Sequence, residues 1–228
     1  NYESMYTTNV VRKPMPDNPP FSNLSELVAS DLEFLKSQKD VGAFICEPLP
    51  TWSHGLKYKF DRSDCYNDLR EYCDRNNIVL IFDEIMSGFK TGKRYFTEYL
   101  DIEPDLMCLS KGITAGVIPF STVIGRTDYL EKLQHGHTWS GHYLGVVAAI
   151  ETVKQVNKWQ SNILDINKQY AHHFDNSLGC FFSKDSKNVR YSDKIIYVHT
   201  NITGATVFTF PLNILKEDFE FVLKEVII

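Results

Sequence analysis

The chain has 228 residues, 43% of them hydrophobic and 13% aromatic, which supports one sizeable core or two small ones and excludes a disordered chain. A net charge of −5 with scattered Lys and Arg gives no basic stripe for nucleic acid, and the apolar runs are too short to span a bilayer. The cysteines are Cys46, Cys65, Cys73, Cys108 and Cys180; their number is odd and none forms a C-x-x-C pair, so the chain reads as reduced and a cytoplasmic location is expected.

The first residues, Asn1 to Met5, show neither a charged nor an apolar leader segment, so no secretory signal is expected. Up to about Ser22 the sequence is rich in Pro and Asn and predicts extended loop. Leu24, Leu27, Val28, Leu32 and Leu35 then recur at helical spacing. The apolar run Val41 to Cys46 ends in Glu47-Pro48. Ser63, with Asp64 behind it, predicts the start of a second helix carrying Tyr66, Leu69, Tyr72 and Cys73. A second apolar run, Ile78 to Phe82, ends in Asp83-Glu84, a third covers Asp105 to Leu109 and a fourth Phe120 to Ile124. Continuous apolar strands separated by helices predict an α/β fold whose parallel-rich sheet is covered on both faces. Tyr143 to Asp175 predicts one or two long helices. Lys194 to His199 and Ala205 to Phe210 predict strands, and Lys216 to Ile228 an amphipathic helix with Phe219, Val222, Leu223 and Val226 on its apolar side.

In open α/β sheets, ligands bind beyond the carboxyl ends of the strands. Glu47, Asp83 and Lys111 each stand just past such an end. Taken singly, each has an ordinary reading: a carboxylate after a strand caps a helix or meets solvent, and a Lys before Gly is a surface residue. His135, His137 and His142 include a ligand-like H-x-H spacing, but no neighbouring Cys or carboxylate completes a set, and no metal is expected.

Four segments change the odds when read together. Asp83-Glu84-Ile85-Met86-Ser87-Gly88-Phe89 is followed by Glu103-Pro104-Asp105-Leu106, by Leu109-Ser110-Lys111-Gly112 with Lys111 placed 28 residues after Asp83, and by His137-Thr138-Trp139-Ser140-Gly141-His142. In order and spacing they resemble the class III, fold-type I aminotransferases that depend on pyridoxal 5'-phosphate (PLP), and Glu47-Pro48 is similar to a Glu-Pro of that family. The resemblance implies the PLP-dependent transferase fold, with residues 1–155 as part of the large PLP-binding domain and 156–228 as a shortened α+β C-terminal domain. It implies Lys111 as the catalytic Schiff-base lysine and Asp83 as the partner of the pyridinium nitrogen. Ile85, two residues on, would lie against the ring, and Met86 stands where many relatives place a Gln. Thr138 would reach the phosphate across a homodimer, and Glu47 would be an acid of the cofactor site. An amine donor and a carbonyl acceptor, both small molecules, would be the partners.

The chemistry agrees. An aldehyde cofactor needs a primary amine to hold it, and the same amine can then move a proton; the ring draws electrons only while a carboxylate keeps its nitrogen protonated. Besides the short stretch between the long helix and the last strand, where many relatives carry a fuller C-terminal domain, two departures from the family matter. Its N-terminal part, with the phosphate-binding helix start and a ring-stacking aromatic, has no counterpart upstream of Asp83, which predicts one part of a split or truncated enzyme, completed by a separate N-terminal subunit. Strand 205–210 and its flank read Thr206-Val207-Phe208-Thr209-Phe210-Pro211-Leu212, without the Arg that grips an α-carboxylate in many relatives. An intramolecular aminomutase of the glutamate-1-semialdehyde type, and a non-catalytic interaction module on the same fold, are the alternative readings.

Overall fold

The leucine spacing near the N-terminus produces helix α1 (Leu24–Ser37), in which Leu24, Leu27, Val28, Leu32 and Leu35 are all buried. Its start is fixed reciprocally: the Asn23 side chain accepts from the Glu26 N–H at 2.9 Å, and the Glu26 carboxylate accepts from the Ser22 N–H at 2.8 Å. The structure is a computed structural model that describes residues 10–13, 21–50, 64–132, 136, 138–189, 199–200, 205–211 and 213–227. Ser63 and the predicted strand residues 194–198 lie outside them.

With α2 (Cys65–Arg75), α1 packs on a four-stranded sheet ordered β1 (Ala43–Cys46), β2 (Val79–Asp83), β3 (Leu106–Leu109), β4 (Thr122–Gly125). The first three strands are parallel; β4 runs antiparallel to β3. Residues 110–121 between β3 and β4 hold only a four-residue 3₁₀ turn, Lys111–Thr114, rather than the crossover helix that a parallel return requires. The fourth run therefore forms a strand, but in the opposite direction to its neighbour.

Alternation along the strands divides the sheet into two faces. Phe44, Leu80 and Phe82 join the helix-covered core, and beside them Met107 and Leu109 pack with Ile113, Phe89 and Val156 of α5 (Tyr143–Tyr170). The other face carries Ala43, Ile45, Ile81, Leu106, Cys108 and Val123, brought into register across the four strands. None of these is buried, and Ile45 and Val123 remain 58% and 42% exposed. The expectation of a sheet covered on both faces is corrected: among the described residues one face alone is covered.

Asp105 ties this sheet to its helices. Its buried carboxylate accepts from the Leu80 N–H at 2.8 Å, from Arg70 Nη1 at 3.0 Å and from Arg126 Nη1 at 3.3 Å. Helix α3 (Thr97–Leu100) lies before β3 and α4 (Thr127–Leu130) after β4.

Helix α5 ends at Tyr170 in a 3₁₀ turn, Ala171–His173, rather than at Asp175. Its first half serves the core under the parallel sheet, and Ile163, Ile166 and Tyr170 serve a second core with Phe174, Phe182 and Phe208. That core is closed by an antiparallel sheet, β5 (Asn176–Leu178), β6 (Phe181–Asp185), β7 (His199–Thr200) and β8 (Ala205–Thr209), in the order β5-β6-β8-β7, and by α6 (Lys216–Val226), which buries Phe219 and Val226. No helix among the described residues is long and apolar enough to cross a membrane.

Candidate active site

Because β1, β2 and β3 are parallel, their carboxyl ends lie side by side. Glu47 follows β1, Asp83 ends β2 and Lys111 follows β3. Glu47 senses both of the others. Burial pushes the Glu47 carboxyl above the usual carboxylate range, the Asp83 charge pushes it further, and Lys111 draws it back. Glu47 Oε2 is buried and has no hydrogen-bond partner among the described residues, an arrangement that calls for a donor. Asp83 Oδ1 accepts from the Ile85 N–H at 3.0 Å, which fixes the carboxylate at the strand end.

Lys111 is exposed, and its Nζ lies 2.6 Å from Met86 Sδ. Its φ of +46° is left-handed, a conformation that costs a non-glycine residue about 1 kcal/mol. Such strain concentrates where a side chain must be presented. Two glycines bring the loops together: a Cβ on Gly112 would stand 2.6 Å from the Gly88 carbonyl oxygen. The Lys111 turn is thereby pressed onto the loop that leaves β2, and Met86 meets Lys111 for this reason.

Other predicted site residues are placed less centrally. β2 ends at Asp83, so two-residue alternation does not carry to Ile85, which is half-buried in the turn that follows. Thr138 is exposed in a turn, and no hydrogen bond joins it to Glu47, Asp83 or Lys111. Glu84, which reads in the sequence as a companion of Asp83, is turned the other way: fully buried, it accepts from the N–H groups of Phe96 at 2.7 Å and Thr97 at 3.0 Å and from Ser87 Oγ at 3.1 Å. Burial raises its carboxyl and these bonds oppose the rise. It holds the start of α3 and has no access to a ligand. A recess of about 700 Å³ lined by Tyr95, Ile102, Pro104, Met107 and Arg126 contains none of the three site residues.

A cofactor with an aldehyde and a cationic ring requires an amine and a carboxylate around one space. Lys111, Asp83 and the unpartnered Glu47 oxygen meet that requirement, so the residues present fit PLP. No phosphate cradle accompanies them among the described residues.

A mixed, parallel-rich α/β sheet with flanking helices, joined to a small antiparallel sheet, is the arrangement of the PLP-dependent transferase fold. The chain belongs to the class III aminotransferase family, whose model matches residues 4–201. It is 32% identical over 133 residues to an omega-amino acid–pyruvate aminotransferase of Pseudomonas putida, covering 53% of this chain and 29% of that protein. An adenosylmethionine-8-amino-7-oxononanoate aminotransferase of Buchnera aphidicola is 33% identical over 167 residues, 66% of this chain and 38% of that one. The chain thus spans about a third of the length of the curated relatives it matches. Among solved structures, an amine transaminase from an uncultivated Pseudomonas species in its PLP-bound form superposes with a TM-score of 0.73 at 21% identity, covering 99% of this chain and 63% of that one. An ornithine aminotransferase from Toxoplasma gondii gives 0.72 at 22% identity, covering 88% and 53%.

Proposed function

We propose that this chain carries the lysine and aspartate of a PLP-dependent aminotransferase that moves an amino group from a small amine donor to a carbonyl acceptor. The observation that carries the reading is the convergence of Glu47, Asp83 and Lys111 at three adjacent strand ends. Bound PLP supplies an aldehyde that exchanges amines and a ring that accepts electron density. Lys111 Nζ would hold the cofactor's aldehyde and, as a free amine, would take the proton from the reacting carbon of the substrate. Asp83 would keep the ring nitrogen protonated, with Ile85 and Met86 beside the ring. Thr138 would serve the phosphate from a second copy of the chain. The curated relatives described above carry names of intermolecular aminotransferases, which favours transfer over the aminomutase reading.

Asp83→Asn tests the electronic half of this reading. A neutral amide cannot hold the ring proton, so kcat is expected to fall roughly a hundred- to a thousandfold while PLP is still bound. An Asn variant within about threefold of the parent would show that another group sets the ring's protonation.

The bare sheet face supports a further part of the proposal: the working enzyme has a second polypeptide layer over this face, and is a homodimer. Parallel strands are covered on both faces in folded α/β proteins, and an apolar face of this kind marks an interaction site. We further propose that the two cores divide the chain near 155/156, along α5. The chain alone is expected to associate in solution and to bind PLP weakly. Mass measurement combined with PLP titration checks this; a monodisperse monomer that binds PLP tightly and transaminates unaided would refute it.

A further inference from the structure

The loop that meets the Lys111 turn holds a second lysine. Lys90 is half-buried, and among the described residues no carboxylate pairs with it. Its Nζ sits 5.8 Å from the centre of the Phe181 ring, and its Cε passes 3.5 Å from where a Gly112 side chain would begin. The Lys90 backbone is pinned from the opposite side. The Cys180 N–H donates to its carbonyl at 2.7 Å, and Gly179, with φ of +55°, packs so closely that a Cβ there would stand 2.4 Å from the same oxygen. Lys90 is therefore fixed where the Lys111 turn, the loop after β2 and the β5–β6 turn converge.

A partly desolvated ammonium without a counter-ion is unfavourable unless an anion arrives to meet it. Burial first, and then the neighbouring Lys111, hold the Lys90 ammonium below the usual lysine range. The ring beneath it, Phe181, pairs in register with Thr209 of β8. That strand offers Val207, Phe208 and Thr209, none of which can bind a carboxylate as a cation does.

We propose that Lys90 is the anion-binding residue of this site and grips a carboxylate of the substrate beside Lys111. The assignment rests on Lys111 being the reacting amine. It deepens that reading by assigning a residue of this chain to the substrate's carboxylate.

The experiment has two parts, and the first does not depend on PLP. Lysines of the full chain are reductively methylated with ¹³C, and the Lys90 signal is assigned by its loss in Lys90→Met. Glutarate, inorganic phosphate and pentylamine are then titrated in, in the parent and in Lys111→Ala. Glutarate alone is expected to move the Lys90 signal and raise its titration midpoint, in both proteins. Movement by phosphate alone would assign the residue to a phosphate and overturn the proposal. No movement, or equal movement by both anions, would also overturn it. Because Lys111→Ala is included, this outcome is independent of whether Lys111 carries the cofactor.

The second part uses the PLP-loaded protein and a matched pair of donors, 5-aminopentanoate and pentylamine. Lys90→Met is expected to lower the ratio of their kcat/KM values roughly ten- to a hundredfold, with the loss in KM for the acid, and Lys90→Arg to restore most of it. An unchanged ratio would mean that Lys90 serves only the fold or the turn of Lys111.

Discussion

Lys111→Ala is expected to remove the visible absorbance that PLP acquires on the protein and to lower kcat roughly ten-thousandfold or more, since one amine both holds the cofactor and moves the proton. The fold should survive, because the side chain is exposed and its stated contact is the Met86 sulfur. Lys111→Gly separates the two consequences more sharply. At φ of +46° glycine carries no Cβ penalty, so this variant is expected to be as inactive as the alanine one yet more stable by about 0.5–1 kcal/mol in urea unfolding. Such a pairing of lost activity with gained stability would identify the left-handed turn as strain held for presenting the amine. A glycine variant less stable than the parent would contradict that account.

The largest stability effect is expected at Asp105, outside the site. Its carboxylate meets two arginines and a backbone N–H under nearly complete burial. Asp105→Ala leaves Arg70 with a half-buried charge and strands the Leu80 N–H in the sheet. Removing one partner of such a network costs about 3–5 kcal/mol. Arg70 would retain its bond to Asp74, 2.7 Å away, which lies largely in solvent and compensates little. Glu103→Ala, two residues away and exposed, is the control and should stay within about 0.5 kcal/mol. Equal urea midpoints for the two variants would show that Asp105 does not anchor the sheet.

These two residues also mark how far the sequence can be read. The five buried positions of α1 announce their helix because a 3.6-residue period is a local property. Glu47, Asp83 and Lys111 are legible for a related reason: each closes a short apolar run, and parallel strands bring such ends together. The roles of Glu84 and Asp105 depend instead on backbone groups 12 to 25 residues away and leave no local trace. Lys90 is hidden in the same way, since its neighbours Gly112 and Phe181 meet it only after both sheets have formed. The β5–β6 hairpin is not legible either; Asn176-Ser177-Leu178-Gly179 and Phe181-Phe182-Ser183 show no clean alternation because both faces of β6 are buried. The reversed β4 follows from the short 3₁₀ connection, whose length is visible in the sequence although its path is not.

The measurement that bears most directly on the central claim is reductive trapping. The chain is incubated with PLP, reduced with borohydride, digested and mapped by mass spectrometry. The pyridoxyl adduct is expected on Lys111, in the peptide that follows β3, and absent from Lys111→Ala. Lys90 is the stringent comparison, because it lies beside Lys111 with a lowered ammonium. An adduct on Lys90, Lys93 or Lys132 with Lys111 unmodified would contradict the assignment of Lys111 as the cofactor-holding lysine.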